Sequence, residues 1–262
     1  MGLYFQSVMS GSSGNCALLW TGKTTILIDA GFHSQEGLRE MIGHLLPQIN
    51  GLIVSHLHWD HIDYPALRVL EESGVPVYVC KGDTEFLLEK HSNGYAFREL
   101  DVRPFSDETF RIGDFSIKPF EVPHAPECHT FGFEISCQQR GRKRKVVHAT
   151  DLSHWRGLRG YFENADFIYL EANHDPGLLQ SYPNFRSRYH LRNQDSAWLL
   201  RRAFDNSGQY PVGVMLGHLS ARRNEPSLAL DTVGAILDEG GHGDVEVTVA
   251  PRSEPSDAIR II

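Results

Sequence analysis

The stretch SHLHWDHID, residues 55–63, places three histidines and two aspartates in the eight positions from His56 to Asp63. Carboxylates and imidazoles at that density must be paired, solvated or bound to an ion, because unpaired charges are costly to bury. The stretch follows an apolar, β-branched run, NGLIV, and precedes a segment with helical spacing of its apolar residues. In a loop of this kind His56 and His58, two positions apart, can face one point while Asp60 and His61 turn toward a second. Neutral imidazole nitrogens beside a hard carboxylate oxygen suit zinc or manganese. A lone HxH is read as exposed histidines; HxHxDH behind a buried strand is read as a metal centre.

The same placement recurs along the chain. Asp29 follows TTILI, His124 follows FEVP, Asp151 follows VVHAT, Glu171 follows FIYL and His218 follows VGVMLG. In layered α/β proteins, functional groups gather at strand ends, where loops converge on one crevice. These residues are therefore expected to form one site. Further strand-like runs are GLYFQSVMS, VPVYVC, HTFGFEIS and VEVTVAP, and helical spacing is expected over residues 35–46, 64–73, 83–90, 194–204 and 225–238. The mixture predicts an α/β layered architecture rather than an all-β sandwich. Repeats and linker-like tracts are absent from the sequence, so residues 1–262 are expected to form a single domain.

Composition narrows the function classes. No apolar run approaches the roughly 18–20 residues that span a bilayer, and no signal peptide is visible, so a cytoplasmic protein is expected. The four cysteines, Cys16, Cys80, Cys128 and Cys137, have no CxxC spacing and read as free thiols in a reducing compartment. A formal charge of −8 argues against a surface coated for nucleic acid. Basic clusters nevertheless occur at residues 140–145 (RGRKRK) and 186–192 (RSRYHLR) and at the pairs Arg201-Arg202 and Arg222-Arg223, each read as a solvated face or a binding patch. The Gly/Ser-rich residues 10–15 (SGSSGN) lack a nucleotide-triphosphate loop pattern and read as a tight turn or a backbone cradle for phosphate. His148 and His154 read as structural or surface residues.

The ordered series His56, His58, Asp60, His61, His124, Asp151, His218 resembles that of the metallo-β-lactamase superfamily. SGSSGNC (residues 10–16), LEANHD (residues 170–175) and GHLS (residues 217–220) are similar to its YycJ/WalJ-like exonuclease branch, related to the tRNase Z phosphodiesterases. The resemblance implies a four-layer αββα sandwich. It implies two divalent metal ions, zinc or manganese: one on His56, His58 and His124, the other on Asp60, His61 and His218, with Asp151 between them. A hydroxide shared by the two ions would be the nucleophile, with Asp60 among the catalytic residues. Asp29 would orient a ligand histidine. Glu171 and His190 would form a general-acid pair in which Glu171 orients and charges the imidazole. Cys128 and His129 are candidate competing ligands, with Cys128 read as a buried thiol, and His174 and Asp175 either cap a helix or line the site. The branch usually carries His-Asp-Ala where this chain has His124-Ala125-Pro126, which removes a carboxylate. It also carries Gly-His-Leu-Ser-Asn where this chain has residues 189–193, Tyr-His-Leu-Arg-Asn.

The expected activity is a two-metal phosphodiesterase or nuclease, 5′-exonuclease-like, acting on nucleic acid or a small phosphodiester, with no membrane partner and with a homodimer as the expected assembly if the chain pairs. The alternatives are a same-fold hydrolase of a cyclic phosphodiester, thioester, lactone or lactam, and a non-catalytic regulatory binding module.

Overall fold

Strand runs that are apolar at every position need cover on both faces, and these are sorted into two sheets that bury one face against each other. The computed structural model describes residues 2–127 and 129–262. The first sheet runs, in spatial order, β14 (Ile259–Arg260), β1 (Tyr4–Met9), β2 (Cys16–Trp20), β3 (Thr25–Ile28), β4 (Ile49–Ile53), β5 (Val77–Cys80), β6 (Val102–Phe105). The second runs β13 (Val247–Val249), β12 (Val214–Gly217), β11 (Phe167–Glu171), β10 (Arg142–Ala149), β9 (Phe131–Gln139), β8 (Phe115–Glu121), β7 (Phe110–Ile112).

Alternation along each strand decides which core a side chain enters. Phe5, Ile26, Ile28, Ile53 and Tyr78 of the first sheet meet Phe115, Phe133, Phe167, Tyr169 and Met215 of the second. Their neighbours Leu27, Leu52, Val77 and Val79 point outward onto Leu38 and Ile42 of α1 (Gln35–Ile42), Ala66, Leu67 and Leu70 of α2 (Tyr64–Ser73) and Leu87 of α3 (Thr84–His91). On the far side Val147, Ile168, Leu170 and Leu216 pack on Phe162 of α4 (Arg159–Phe162). They also pack on Ala197 and Leu200 of α6 (Asn193–Phe204) and Ala229 and Val233 of α7 (Pro226–Glu239). The layers are therefore α, β, β, α, as expected from the sequence. A short α5 (Pro176–Ser181) lies between β11 and α6.

The departures from the sequence reading have local causes. The helix expected over residues 35–46 stops at Ile42 and continues as a 3-10 helix, Gly43–Gln48, that contains Pro47. Proline has no N–H and its ring opposes an α-helical turn. β2, CALLW, is almost wholly interior yet rich in Ala and Leu, which carry no strand signal. β6 holds Pro104 and closes one edge of its sheet, the place where a strand tolerates a missing donor. α2 starts where expected because Asp63 accepts a hydrogen bond from Ala66 N at 2.9 Å, and it ends at Gly74, with φ of 64°. Asp63 thus belongs to helix capping, not to the metal-type cluster that precedes it.

His148 is buried and stacks on Tyr169 with ring centroids 4.6 Å apart, while His154 is exposed. Burial pushes His148 down to about 4, from an ordinary value near 6.5. The unfolded chain therefore takes up a proton that the folded chain refuses. Stability from this group is present above about pH 6.5 and falls as pH drops toward about 4. With a chelator present, the native chain should lose more thermal stability over that window than His148→Phe, and equal slopes would remove His148 as the cause.

Candidate metal centre

β3, β4 and β5 are parallel, as are β10, β11 and β12, and β8 runs the same way as β10 because both pair antiparallel with β9. Their C-terminal ends deliver Asp29, His56, His124, Asp151, Glu171 and His218 to one edge of the sandwich. Asp29, Asp151 and His218 sit in the left-handed region at φ of 59°, 62° and 55°. Such backbone costs about 1–3 kcal/mol per residue and persists where surrounding contacts over-determine it. At Gly31 the chain passes so close to the HxHxDH loop that a Cβ would lie 2.2 Å from Asp60 O.

The side chains fall into two groups that share an edge. His56, His58, His124 and Asp151 each bring one ligand-type atom within 4.8 Å of the others, and so do Asp60, His61 and His218. Distances from His58 Nδ1 to His56 Nε2 and His124 Nε2 are 2.9 and 3.4 Å, and His124 Nε2 is 3.6 Å from Asp151 Oδ1. His218 Nε2 is 3.4 Å and His61 Nε2 3.7 Å from Asp60 Oδ2, and His61 Nε2 is 3.1 Å from Asp151 Oδ2. Donors arranged tetrahedrally about an ion at about 2.1 Å lie about 3.4 Å apart, so the spacing fits.

The chemistry of the donors fits as well. His61 Nδ1 lies 2.7 Å from Asp29 Oδ2, His124 Nδ1 is 2.9 Å from Tyr189 O, and His218 Nδ1 is 2.7 Å from Glu171 Oε1. His56 Nδ1 contacts Ser55 Oγ at 3.0 Å. Each of these rings is thereby anchored through Nδ1, with Nε2 turned into the cluster, which is the way histidines are held at metals. Burial lowers His56, and lowers His58 to about 4, keeping both neutral and able to ligate. Burial also works against charge on His61 and His218, but Asp151 and its neighbouring carboxylates overcome it and raise both, His218 to about 10. Asp151 Oδ2, fully buried, accepts no well-directed hydrogen bond. A concentration of negative charge with an orphaned carboxylate oxygen is suited to divalent cations.

Glu171 corrects one expectation. Its Oε1 lies 2.8 Å from His190 Nδ1 and also 2.7 Å from His218 Nδ1, while Oε2 accepts from Leu152 N and Leu191 N at 3.0 Å each. Burial raises Glu171, but the facing His190 and His218 outweigh it and hold the carboxyl at about 2. It does not serve His190 alone; it also fixes His218. His190 caps the 3-10 helix Phe185–Tyr189 and lies 3.5 Å from Asp151 Oδ1, at the edge of both groups.

The supporting residues come from parts of the chain where the sequence carries little signal. Asn15 Nδ2 donates to Asp60 O at 3.1 Å and contacts His61 Nε2 at 3.1 Å, and Ser10 Oγ accepts from His218 N at 2.8 Å. Residues 10–15 are therefore a turn that braces the centre. Ser55 donates to Asp29 through N and Oγ at 2.7 and 2.8 Å. Asp175 is a helix cap, accepting from Gly177 N and Leu178 N at 2.8 and 3.0 Å. His174 is buried behind the site, its backbone bridged to Arg192. Cys128 lies outside the described residues, and His129 pairs with Asp83 at 2.9 Å instead of joining either group. Ala125 removes a carboxylate after His124, and Glu127 on the same loop brings one 3.9 Å from His58 Nε2.

The centre opens into a cleft of about 320 Å³ lined by Trp59, Asn173, Arg186, Tyr189, His190 and Arg223 among others. Of the basic clusters, residues 186–192 and the pair 222–223 reach this cleft. Residues 140–145 lie at the start of β10, the opposite end from Asp151, where Arg144 pairs with Asp166 at 2.7 Å.

The sequence model of the Beta-lactamase superfamily domain matches residues 24–203. That is well over half of the chain. The chain belongs to this family. The match ends before His218, whose place at the centre comes from the geometry above. Among curated proteins, exodeoxyribonuclease YycJ of Bacillus anthracis is 28% identical over 263 residues, covering 93% of this chain and 92% of the relative. Exodeoxyribonuclease WalJ of Streptococcus pneumoniae is 27% identical over 249 residues, covering 87% and 86%. Among solved structures, the metallo-β-lactamase fold protein YhfI of Bacillus subtilis superposes with a TM-score of 0.72 at 20% identity, covering 98% of this chain and 99% of that one. At that identity the likeness speaks for the fold, which is the metallo-β-lactamase fold. No helix among the described residues is long and apolar enough to cross a membrane.

Proposed function

We propose that the chain is a two-metal phosphodiesterase that shortens nucleic acid from an end, with DNA as the favoured polymer. The observation that carries this reading is one carboxylate, Asp151, standing between two ligand groups while His190, tied to Glu171, stands beside them. The exodeoxyribonuclease names of the relatives support it. His56, His58 and His124 would hold one ion and Asp60, His61 and His218 the other, with Asp151 shared; zinc and manganese both suit the donors. When bound, such a pair makes a water nucleophilic at neutral pH and stabilises charge on both attacking and leaving oxygens. The protein's own part is to anchor the ligand rings, exclude stray geometries and supply a proton. Glu171 raises His190 against the effect of burial, so the imidazole carries a proton it can pass to the leaving sugar oxygen, which departs as a hydroxyl.

The cleft suits a polynucleotide. Arg186 and Arg223 line one wall for phosphates, and Trp59, 54% exposed, offers a flat face for a base. Every group named comes from one chain and from both sheets, which supports residues 1–262 acting as one unit whether or not copies pair. A nucleic-acid substrate fits a cytoplasmic setting.

The test is an assay of the purified, metal-loaded protein on 5′-phosphorylated DNA, RNA, bis-p-nitrophenyl phosphate, a thioester and a lactam. Diester cleavage with DNA shortened from an end is expected; hydrolysis of the thioester or lactam alone would overturn the reading. Binding of a catalytically dead variant to single-stranded DNA should weaken as salt rises. Arg223→Ala should reduce the log–log slope by about 0.7, one phosphate contact. A flat salt response would point to a small diester instead.

A further inference from the structure

Outside this centre a second set of ligand-type side chains converges. Cys80 ends β5, Asp83 closes the 3-10 helix Lys81–Asp83, and His129 lies on the loop between β8 and β9. One ligand atom from each lies within 4.8 Å of the others, with His129 Nδ1 2.9 Å from Asp83 Oδ1. The backbone amides of Gly82 and Asp83 favour the Cys80 thiolate over the thiol, the kind of support that suits a sulfur at a metal. Gly82 keeps the space clear, since a Cβ there would come within 3.2 Å of His129 Cε1 and 3.9 Å of Cys80 Sγ. Glu121 adds its charge, acting on both Cys80 and His129. The cluster borders a cleft of about 460 Å³ that Gly82, Asp83, Glu121 and His129 line and that extends to His124.

We propose that Cys80, Asp83 and His129 form a further binding site for a thiophilic divalent cation, zinc by its chemistry, separate from the His/Asp centre. One thiolate, one imidazole and one carboxylate make a set that zinc accepts in tetrahedral coordination, leaving a fourth position for water. Magnesium and calcium, which take six or more oxygens, are poorly served. Without a cation, burial raises the Cys80 thiol, so it holds its proton; binding would release that proton to solvent as the S–metal bond forms. The site ties the start of α3 to the loop that carries His124, five residues before His129. An ion there braces one wall of the catalytic cleft without touching the ligands of the centre.

The test uses the full chain, stripped of metal and titrated with cobalt(II) and, separately, zinc. Among the described residues the His/Asp centre contains no sulfur, so a thiolate-to-cobalt charge-transfer band in the near ultraviolet, checked against Cys128→Ser, reports the new site. The native chain should show the band and bind one more ion per chain than Cys80→Ser, which should lack it. His129→Ala, altered at an exposed position that leaves folding intact, should keep the thiol but weaken this site about 100-fold or more, beyond the loss of a merely supporting group. Absence of the band from the native chain would overturn the proposal. So would a band that survives in Cys80→Ser and disappears in Cys128→Ser, or equal ion counts in the native and Cys80→Ser chains.

Discussion

Asp60→Ala is expected to lower the metal content by about one ion per chain and to cut diester hydrolysis by about 10³-fold or more. Asp60 is partly open to the cleft, so its loss leaves the core packing alone. Its carboxylate stands 3.4 Å from His218 Nε2 and 3.7 Å from His61 Nε2, completing the second ligand group. Burial alone would raise the carboxyl, yet His61 and His218 hold it well below the ordinary range, so it is ionised at any working pH. A metal ion's stabilisation of transition-state charge is worth several kcal/mol, and each 1.36 kcal/mol is tenfold in rate. The measurements are metal analysis of the purified variant and kcat/KM on bis-p-nitrophenyl phosphate, with a melting curve to show that it folds. Undiminished activity in Asp60→Ala would rule out a two-ion mechanism.

His190→Ala should separate proton delivery from metal binding. A deoxyribose oxygen leaves poorly and needs a proton as its bond breaks, whereas p-nitrophenolate does not. General-acid help is worth about 10²–10⁴-fold. His190→Ala should therefore keep both ions and most activity on bis-p-nitrophenyl phosphate while losing about that factor on DNA. The basic limb of the pH profile on DNA should also disappear. Its partner Glu171 has a second duty, so the two variants should differ. Glu171 Oε1 engages His218 Nδ1 at 2.7 Å as well as His190 Nδ1 at 2.8 Å, so Glu171→Gln disturbs a ligand ring too. That variant should lose metal affinity, about 10–100-fold, together with activity on both substrates. If His190→Ala loses activity equally on DNA and on the activated diester, His190 supports the metals or the fold and is not the acid. If Glu171→Gln keeps full metal affinity, the His218 contact is without consequence.

The residues of the centre are legible in the sequence because two patterns coincide. A strand apolar at every position must be buried on both faces, and a histidine or carboxylate directly after such a strand must surface at its end. HxHxDH adds a spacing that chance seldom produces beside a buried strand. The amino-acid order therefore determined the layered α/β class and the group His56, His58, Asp60, His61, His124, Asp151 and His218 as residues that meet, along with the boundaries of α2, whose cap and glycine stop are local.

What tertiary structure alone decided is which partner each group finds. Ser10 and His218 are 208 residues apart and share a hydrogen bond, and Asn15 reaches the Asp60 backbone 45 residues on. Glu171 divides itself between two histidines, Asp63 leaves the cluster to cap a helix, and His129 turns from His124 to Asp83. A lone Ser, Asn or Glu carries no period and no spacing, since its hydrogen bond is satisfied by any donor or acceptor the fold brings near. Burial fixes the place of apolar residues from their pattern along the chain, whereas the partners of buried polar atoms are set only when distant strands are brought into register.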